Sequence, residues 1–198
     1  MILAWQSGNL PAHVERLRAL GYPVYVSQPE RLEDVANELE RLGILAGRER
    51  AGQAAARAYR ERLDQLRSRY GQRPRVRTFY QIWKQPLSTV GGRQLISRVI
   101  RLCGGENIFE SLQTLAPVVT EEAVIASQPE AIVASGMDRA RPEWLDDWRQ
   151  WPQMTAVQRN NLFFVPPELI QRHTPRLLDG AERLCQHLET ARQRRTLN

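Results

Sequence analysis

Short apolar runs and amphipathic stretches alternate over residues 1–46 in a strand, helix, strand, helix order. ILAW reads as a short buried strand, QSGN as the turn after it, and Pro11 to Leu20 as a helix with proline suited to its first turn. Gly21 ends that helix and YPVYVS is the next strand. From Pro29 to Leu42, the residues Leu32, Val35, Ala36, Leu39 and Leu42 fall on one face of a second helix. Such alternation predicts a parallel sheet with helical crossovers.

The period then changes. Ala51, Ala55, Ala58/Tyr59, Leu63, Leu66 and Tyr70 mark one face of a single helix over Arg48–Tyr70, interrupted by no glycine beyond Gly52 and stopped by the segment that starts at Gly71. At 1.5 Å per residue it spans roughly 35 Å, more than a sheet crossover needs. A strut between two α/β units is the expectation.

A second run follows. VRTFYQIW reads as a strand, KQPLSTVGG as a loop, and Gln94–Leu102 as a helix stopped by Gly104 and Gly105. Thr120–Ser127 is a short helix, with Thr120 as its cap and Glu121 and Glu122 in its first turn. EAIVAS and NLFFVP are strands, and Pro142–Gln150 and Pro175 to about Arg192 are helices. The fold class is therefore α/β, with residues 1–46 as part of a first lobe, 47–71 as the interlobe helix and 72–198 as a second lobe.

Composition narrows the function. Apolar residues at 42% and charged residues at 25% suit an ordinary globular chain, and no apolar run approaches the roughly 18 residues of a membrane span. The formal charge of +6 comes almost wholly from arginine. In RERAGQAAARAYRERLDQLRSR the arginines are interleaved with acids, the pattern of a solvated helix face rather than of a nucleic-acid surface.

Catalysis finds little support. His13, His173 and His187 stand at no metal-ligand spacing, and there is no HExxH, phosphate loop or CxxC. No catalytic residue, metal or cofactor is expected. The aromatics are more informative. Trp5 and Trp83 each lie at the carboxyl end of a strand, where parallel sheets form their ligand crevice, and a flat ring there suits a large, partly apolar ligand. Capping of each lobe's core is an equally good reading from position alone. Trp144, Trp148 and Trp151, spaced four and three apart, read as packing residues. Glu168, Arg172 and His173 follow NLFFVP at another strand end, as ligand contacts or as a solvated loop.

The stretch TFYQIWKQPLSTVGGRQLISRVIRLCGGENIF, with ILAWQSGN at the start and TPRLLDGAERLC near the end, resembles the periplasmic cobalamin-binding proteins that serve vitamin B12 ABC importers. The most specific parts are GGENIF after a helix and W-x-x-P-L-x-T-x-G before it. The resemblance implies two Rossmann-like lobes joined by one long helix, with a monomer holding a corrinoid in the cleft and passing it to permease subunits. It assigns Trp5, Trp83, Leu87, Glu168, Arg172 and His173 to the ligand, Glu122 to permease docking, and Cys103 and Cys185 to a disulfide. It implies a periplasmic location, and a long strut of this kind implies closure of small amplitude.

Three features depart from the family pattern. Met1 runs directly into ILAW without a leader, and residues that complete the first lobe in the family are not matched, so an incomplete first lobe is expected. Ala116 stands where some members place a cleft tryptophan, and Gln171 replaces an acid beside Arg172. A haem or ferric-siderophore receptor on the same scaffold is the alternative within this class, and a truncated product without binding activity is another.

Overall fold

A computed structural model of the chain describes residues 1–136 and 140–195. Strands β1 (Ile2–Trp5) and β2 (Val24–Ser27) pair in parallel from Ile2↔Val24 to Trp5↔Ser27, and α1 (Pro11–Ala19) connects them. Pro11 occupies the start of α1, and Gly21 at φ 82° turns the chain out of it. Within this pair the side chains of Met1, Leu3, Leu10, Leu20 and Tyr22 are exposed.

Helix α2 (Leu32–Leu45) begins and ends three residues later than its apolar period suggests. The Asp34 carboxylate accepts hydrogen bonds from the Glu30 and Arg31 backbone amides at 3.1 and 2.8 Å, which fixes the helix start after Pro29. The helix also continues through Gly43 because that glycine packs against α3 (Glu49–Tyr70). A Cβ on Gly43 would lie 2.8 Å from the Gly52 Cα, and one on Gly52 would lie 2.7 Å from the Leu39 carbonyl oxygen. Only glycines allow the two backbones to approach this closely. The same crossing shifts the buried stripe of α3 by one residue at its amino end. Gly52 and Ala56 face inward ahead of Tyr59, Leu63, Leu66 and Tyr70, while Ala51, Ala55 and Ala58 are exposed.

The second sheet has five strands. β3 (Val76–Trp83) lies between β6 (Ala131–Ala134), in parallel, and two short partners on its other side. β4 (Ser88–Thr89) pairs antiparallel with its carboxyl end, and β5 (Gly105–Asn107) pairs parallel with its amino end. β7 (Leu162–Phe164) extends the sheet beyond β6. Helix α4 (Leu95–Leu102) precedes β5, and α5 (Glu121–Ala126) precedes β6. α6 (Thr155–Gln158), α7 (Pro167–Ile170) and α8 (Leu177–Gln193) flank β7. β4, β5, α6 and α7 escape periodicity because each is at most four residues long. The segment read as a helix before Trp151 is instead a 3-10 helix, Glu143–Gln150. Leu145 and Trp148, three apart, are both buried, and three residues per turn puts them on one face. The Trp148 indole donates to Gln81 Oε1 at 2.7 Å, so this tryptophan packs.

Apolar groups cover both faces of the five-stranded sheet. On one face α2, α3, α4 and α8 share a continuous core with Val76, Tyr80 and Val133. On the other, Phe79, Ile132 and Ala134 pack with Val124, Leu145 and Trp148. Neighbouring strand residues thus serve opposite cores, as expected for a sheet buried on both sides. A disulfide joins Cys103, just after α4, to Cys185 in α8, with both residues fully buried. Arg62 on α3 pairs with Asp179 and Glu182 on α8 at 2.5 and 2.8 Å, and Arg60 pairs with Glu40 on α2 at 2.7 Å. These partly exposed pairs orient the helices and add little stability.

Candidate functional site

The site is built around Trp5 at the carboxyl end of β1. The turn after β1 folds back on this residue: Asn9 Oδ1 accepts from the Trp5 amide at 2.6 Å, and the Gly8 and Asn9 amides donate to its carbonyl. Gly8 lies so close to the indole that a Cβ there would sit 2.1 Å from Trp5 Cε3. Glycine at this position therefore lets the ring lie over its own turn. Ser7 is tied to the end of β2 through Gln28 Oε1, at 2.9 Å from its hydroxyl and 3.1 Å from its amide. The indole itself remains 42% exposed.

The opposing wall comes from the far side of the second sheet. β7 leads into α7, which carries Glu168, and Arg172 and His173 follow that helix directly. Gln171 Nε2 donates to Ser135 Oγ at 3.2 Å and to the Gly136 carbonyl at 3.1 Å, pinning this turn to the carboxyl end of β6. The His173 ring meets Trp5 edge-on, with centroids 5.2 Å apart and planes at 80°. This contact joins the two sheets across the cleft. Burial holds the His173 imidazole below its ordinary pKa, so the ring is neutral at pH 7.

Three adjoining depressions share Trp5. The largest, about 550 Å³, is also lined by Ile82, Gln94, Glu168, Gln171 and Arg172. A second, about 400 Å³, lies between Leu3, Asn9, Arg172 and His173. A third, about 170 Å³, reaches Gln28, Leu115, Ala116 and His173. The surface combines one large aromatic and several aliphatic groups with amides, a carboxylate and the guanidinium groups of Arg93, Arg172 and Arg176, a mixture suited to an apolar ring system with a polar periphery. Among the described residues no cluster of histidine, cysteine, aspartate or glutamate is arranged to hold a metal ion.

The structure thus brings together Trp5, Glu168, Arg172 and His173. Trp83 is 41% exposed at the end of β3 and lines none of the three depressions. Leu87 is half-buried against the core that contains Phe79. His13 is exposed on α1, while His187 stacks on Phe163 and bonds the Phe164 carbonyl at 3.0 Å, so both stand apart from the cleft. Gln94 and Ile96 were not singled out by sequence. Gln94 caps α4 by accepting from the Ile96 amide, and a polar residue heading a helix after a strand-end loop is the signal that marks it. Glu122 is exposed in the first turn of α5, and its own backbone amide and the Thr120 hydroxyl hold its carboxyl below the usual range.

Residues 1–169 match the model of a family described as periplasmic binding protein. The chain belongs to the periplasmic binding protein family. It is 36% identical to the vitamin B12-binding protein of Vibrio parahaemolyticus over 98% of this chain and 70% of that one. The crystal structure of the periplasmic vitamin B12 binding protein BtuF of Vibrio cholerae superposes with a TM-score of 0.87 at 34% identity, covering 97% of this chain and 74% of the other. The heme-binding protein RhuT from Roseiflexus sp. RS-1 shares the fold, with a TM-score of 0.78 at 16% identity over 96% of this chain and 75% of that one. Among the described residues no helix is long and apolar enough to cross a membrane.

Proposed function

We propose that this protein captures cobalamin in the cleft around Trp5 and delivers it to the permease of an ABC importer, working in the periplasm as a monomer and without catalysis. The observation that carries this reading is the convergence of Trp5 with Arg172 and His173 across the two sheets, in a chain 36% identical to a vitamin B12-binding protein. In this reading residues 1–46 and 72–198 form the two walls and 47–71 the strut. Trp5 lies along the corrin, and Glu168 and Arg172 hydrogen-bond its peripheral amides. Trp83 and Leu87, on and beside the β3–β4 turn, complete the second wall when the ligand is bound.

Titration of the intrinsic tryptophan fluorescence with cyanocobalamin, cobinamide, haemin and a ferric siderophore tests this assignment. The two corrinoids are expected to quench saturably and the others not. Saturable quenching by haemin alone would move the protein to the haem-receptor reading.

Glu122 is proposed as the docking acid of the second lobe. Its carboxylate is exposed and held ionised at neutral pH, ready to meet a basic permease surface. Glu122→Lys is expected to reduce uptake in a reconstituted transporter while cobalamin affinity stays unchanged. An equal loss of affinity would remove the residue from the docking surface.

A further inference from the structure

Beside the cleft, which it meets at Arg93, the first turn of α2, the end of α3 and the outer side of α4 line a further cavity of about 530 Å³. Six arginines line it, Arg31, Arg67, Arg75, Arg93, Arg98 and Arg101, against two carboxylates, Glu30 and Glu33. Among the described residues three of the six are paired with acids, Arg67, Arg93 and Arg101, and the other three are not. Glu30 is taken by Arg93 at 3.4 Å and Glu33 by Arg67 at 2.5 Å. Asp64 also pairs with Arg67, at 3.0 Å, outside the cavity lining. Arg101 turns away to Glu110, and Arg75 donates to the Gly105 carbonyl at 3.1 Å.

Arg31 and Arg98 form no ion pair among the described residues, and the Arg98 Nε is buried without a hydrogen-bond partner in the protein. The helix ends offset only part of this positive charge. The carboxyl ends of α3 and α4 contribute partial negative charge at Gly71 and Leu102, but the amino end of α2 contributes the opposite. The carbonyls of Cys103 and Gly104, just beyond α4, are already bonded by Arg192 at 2.6 and 3.1 Å. A half-buried guanidinium without a carboxylate partner carries a desolvation cost that an oxyanion beside its accessible side offsets. Several guanidinium forks in one cavity suit tetrahedral phosphoryl groups, whose oxygens they bond two at a time.

We propose that this cavity is a binding site for a multiply charged phosphoryl anion, either free in solution or carried by an acidic phospholipid headgroup. The site meets the proposed cobalamin cleft at Arg93, but Arg31 and Arg98 line none of the three cleft depressions, so variants at those two positions separate the two assignments.

Isothermal titration of the full chain with sodium pyrophosphate at low salt, together with co-sedimentation with phosphatidylglycerol vesicles, tests it. Pyrophosphate is expected to bind with an affinity that falls as salt is raised. Arg98→Gln and Arg31→Gln should each weaken binding by about tenfold, the scale of one lost charge-assisted hydrogen bond, while cobalamin affinity is retained. Pyrophosphate binding without vesicle binding assigns a soluble oxyanion, and vesicle binding that pyrophosphate displaces assigns a headgroup. Should Arg98→Gln fail to fold, the exposed Arg31→Gln carries the comparison. Absence of binding to both probes, or binding that the foldable variants leave unchanged, overturns the proposal.

Discussion

Replacing both Cys103 and Cys185 with alanine is expected to lower the melting temperature by roughly 10 °C or more. The bond closes a segment of 82 residues, and in the chain-entropy account a loop of that size restricts the unfolded ensemble by about 4 kcal/mol. For a domain of this length each kcal/mol corresponds to about 2–4 °C. Both cysteines are fully buried in the core between α4 and α8, so the alanines also leave lost contacts behind. Thermal unfolding followed by circular dichroism, on the variant and on the parent with and without reductant, measures the effect. A variant that melts with the oxidised parent would mean that the hydrogen bonds of Arg192 to the Cys103 and Gly104 carbonyls already hold α8 in place. Neither cysteine lines the cleft, so the folded variant should bind cobalamin as the parent does.

Trp5→Ala is expected to weaken cobalamin binding by roughly 30-fold or more, the effect of removing a central aromatic anchor from an interface. The indole borders all three depressions of the cleft, so its loss enlarges them together and removes the flat surface on which a macrocycle would rest. Stability should change little, because the ring is already 42% exposed. Trp5→Phe should recover part of the affinity by keeping a ring at the same place. Calorimetric titration with cyanocobalamin reads all of these, and His13→Ala, on the exposed side of α1 and outside all three depressions, provides the comparison. Unchanged affinity in Trp5→Ala would place the ligand elsewhere. Gly8 matters for the same reason, since any side chain there meets the indole before a ligand does.

How much of this was legible in the sequence depended on what each feature rests on. The parallel-sheet order came through because β3 and β6 carry their own apolar runs and their helices carry a period. β4 and β5 did not, because two or three residues are strands only by virtue of the strand beside them. The 3-10 helix before Trp151 was read as an α-helix, since three- and four-residue spacings occur together in WLDDWRQW. In the cleft, Trp5, Glu168, Arg172 and His173 stand at strand carboxyl ends, a position that leaves a core cap or a solvated loop equally open, and the family resemblance is what singles them out; the same position also marks Trp83, which lines none of the three depressions. Gln94 and Ile96 join them only through the way α4 faces the β1–β2 pair, and no local pattern records that. The arginine cavity was still less legible, because its members are scattered over residues 30–102 and each one read singly is a solvated charge.

The continuous core has a mechanical consequence. It begins at Leu32 and takes in α2, α3, α4 and α8, but no residue of β1, α1 or β2. The strut packs tightly on α2 at the Gly43–Gly52 crossing, and four residues lead from β2 to α2 ahead of it. Tyr25, whose hydroxyl bonds Glu38 on α2 at 2.9 and 3.1 Å, is the polar latch across that joint. The two walls of the cleft thus differ in their attachment: Glu168 and Arg172 follow a strand whose Phe163 lies in the continuous core, while Trp5 stands on the β1–β2 pair, which contributes no residue to it.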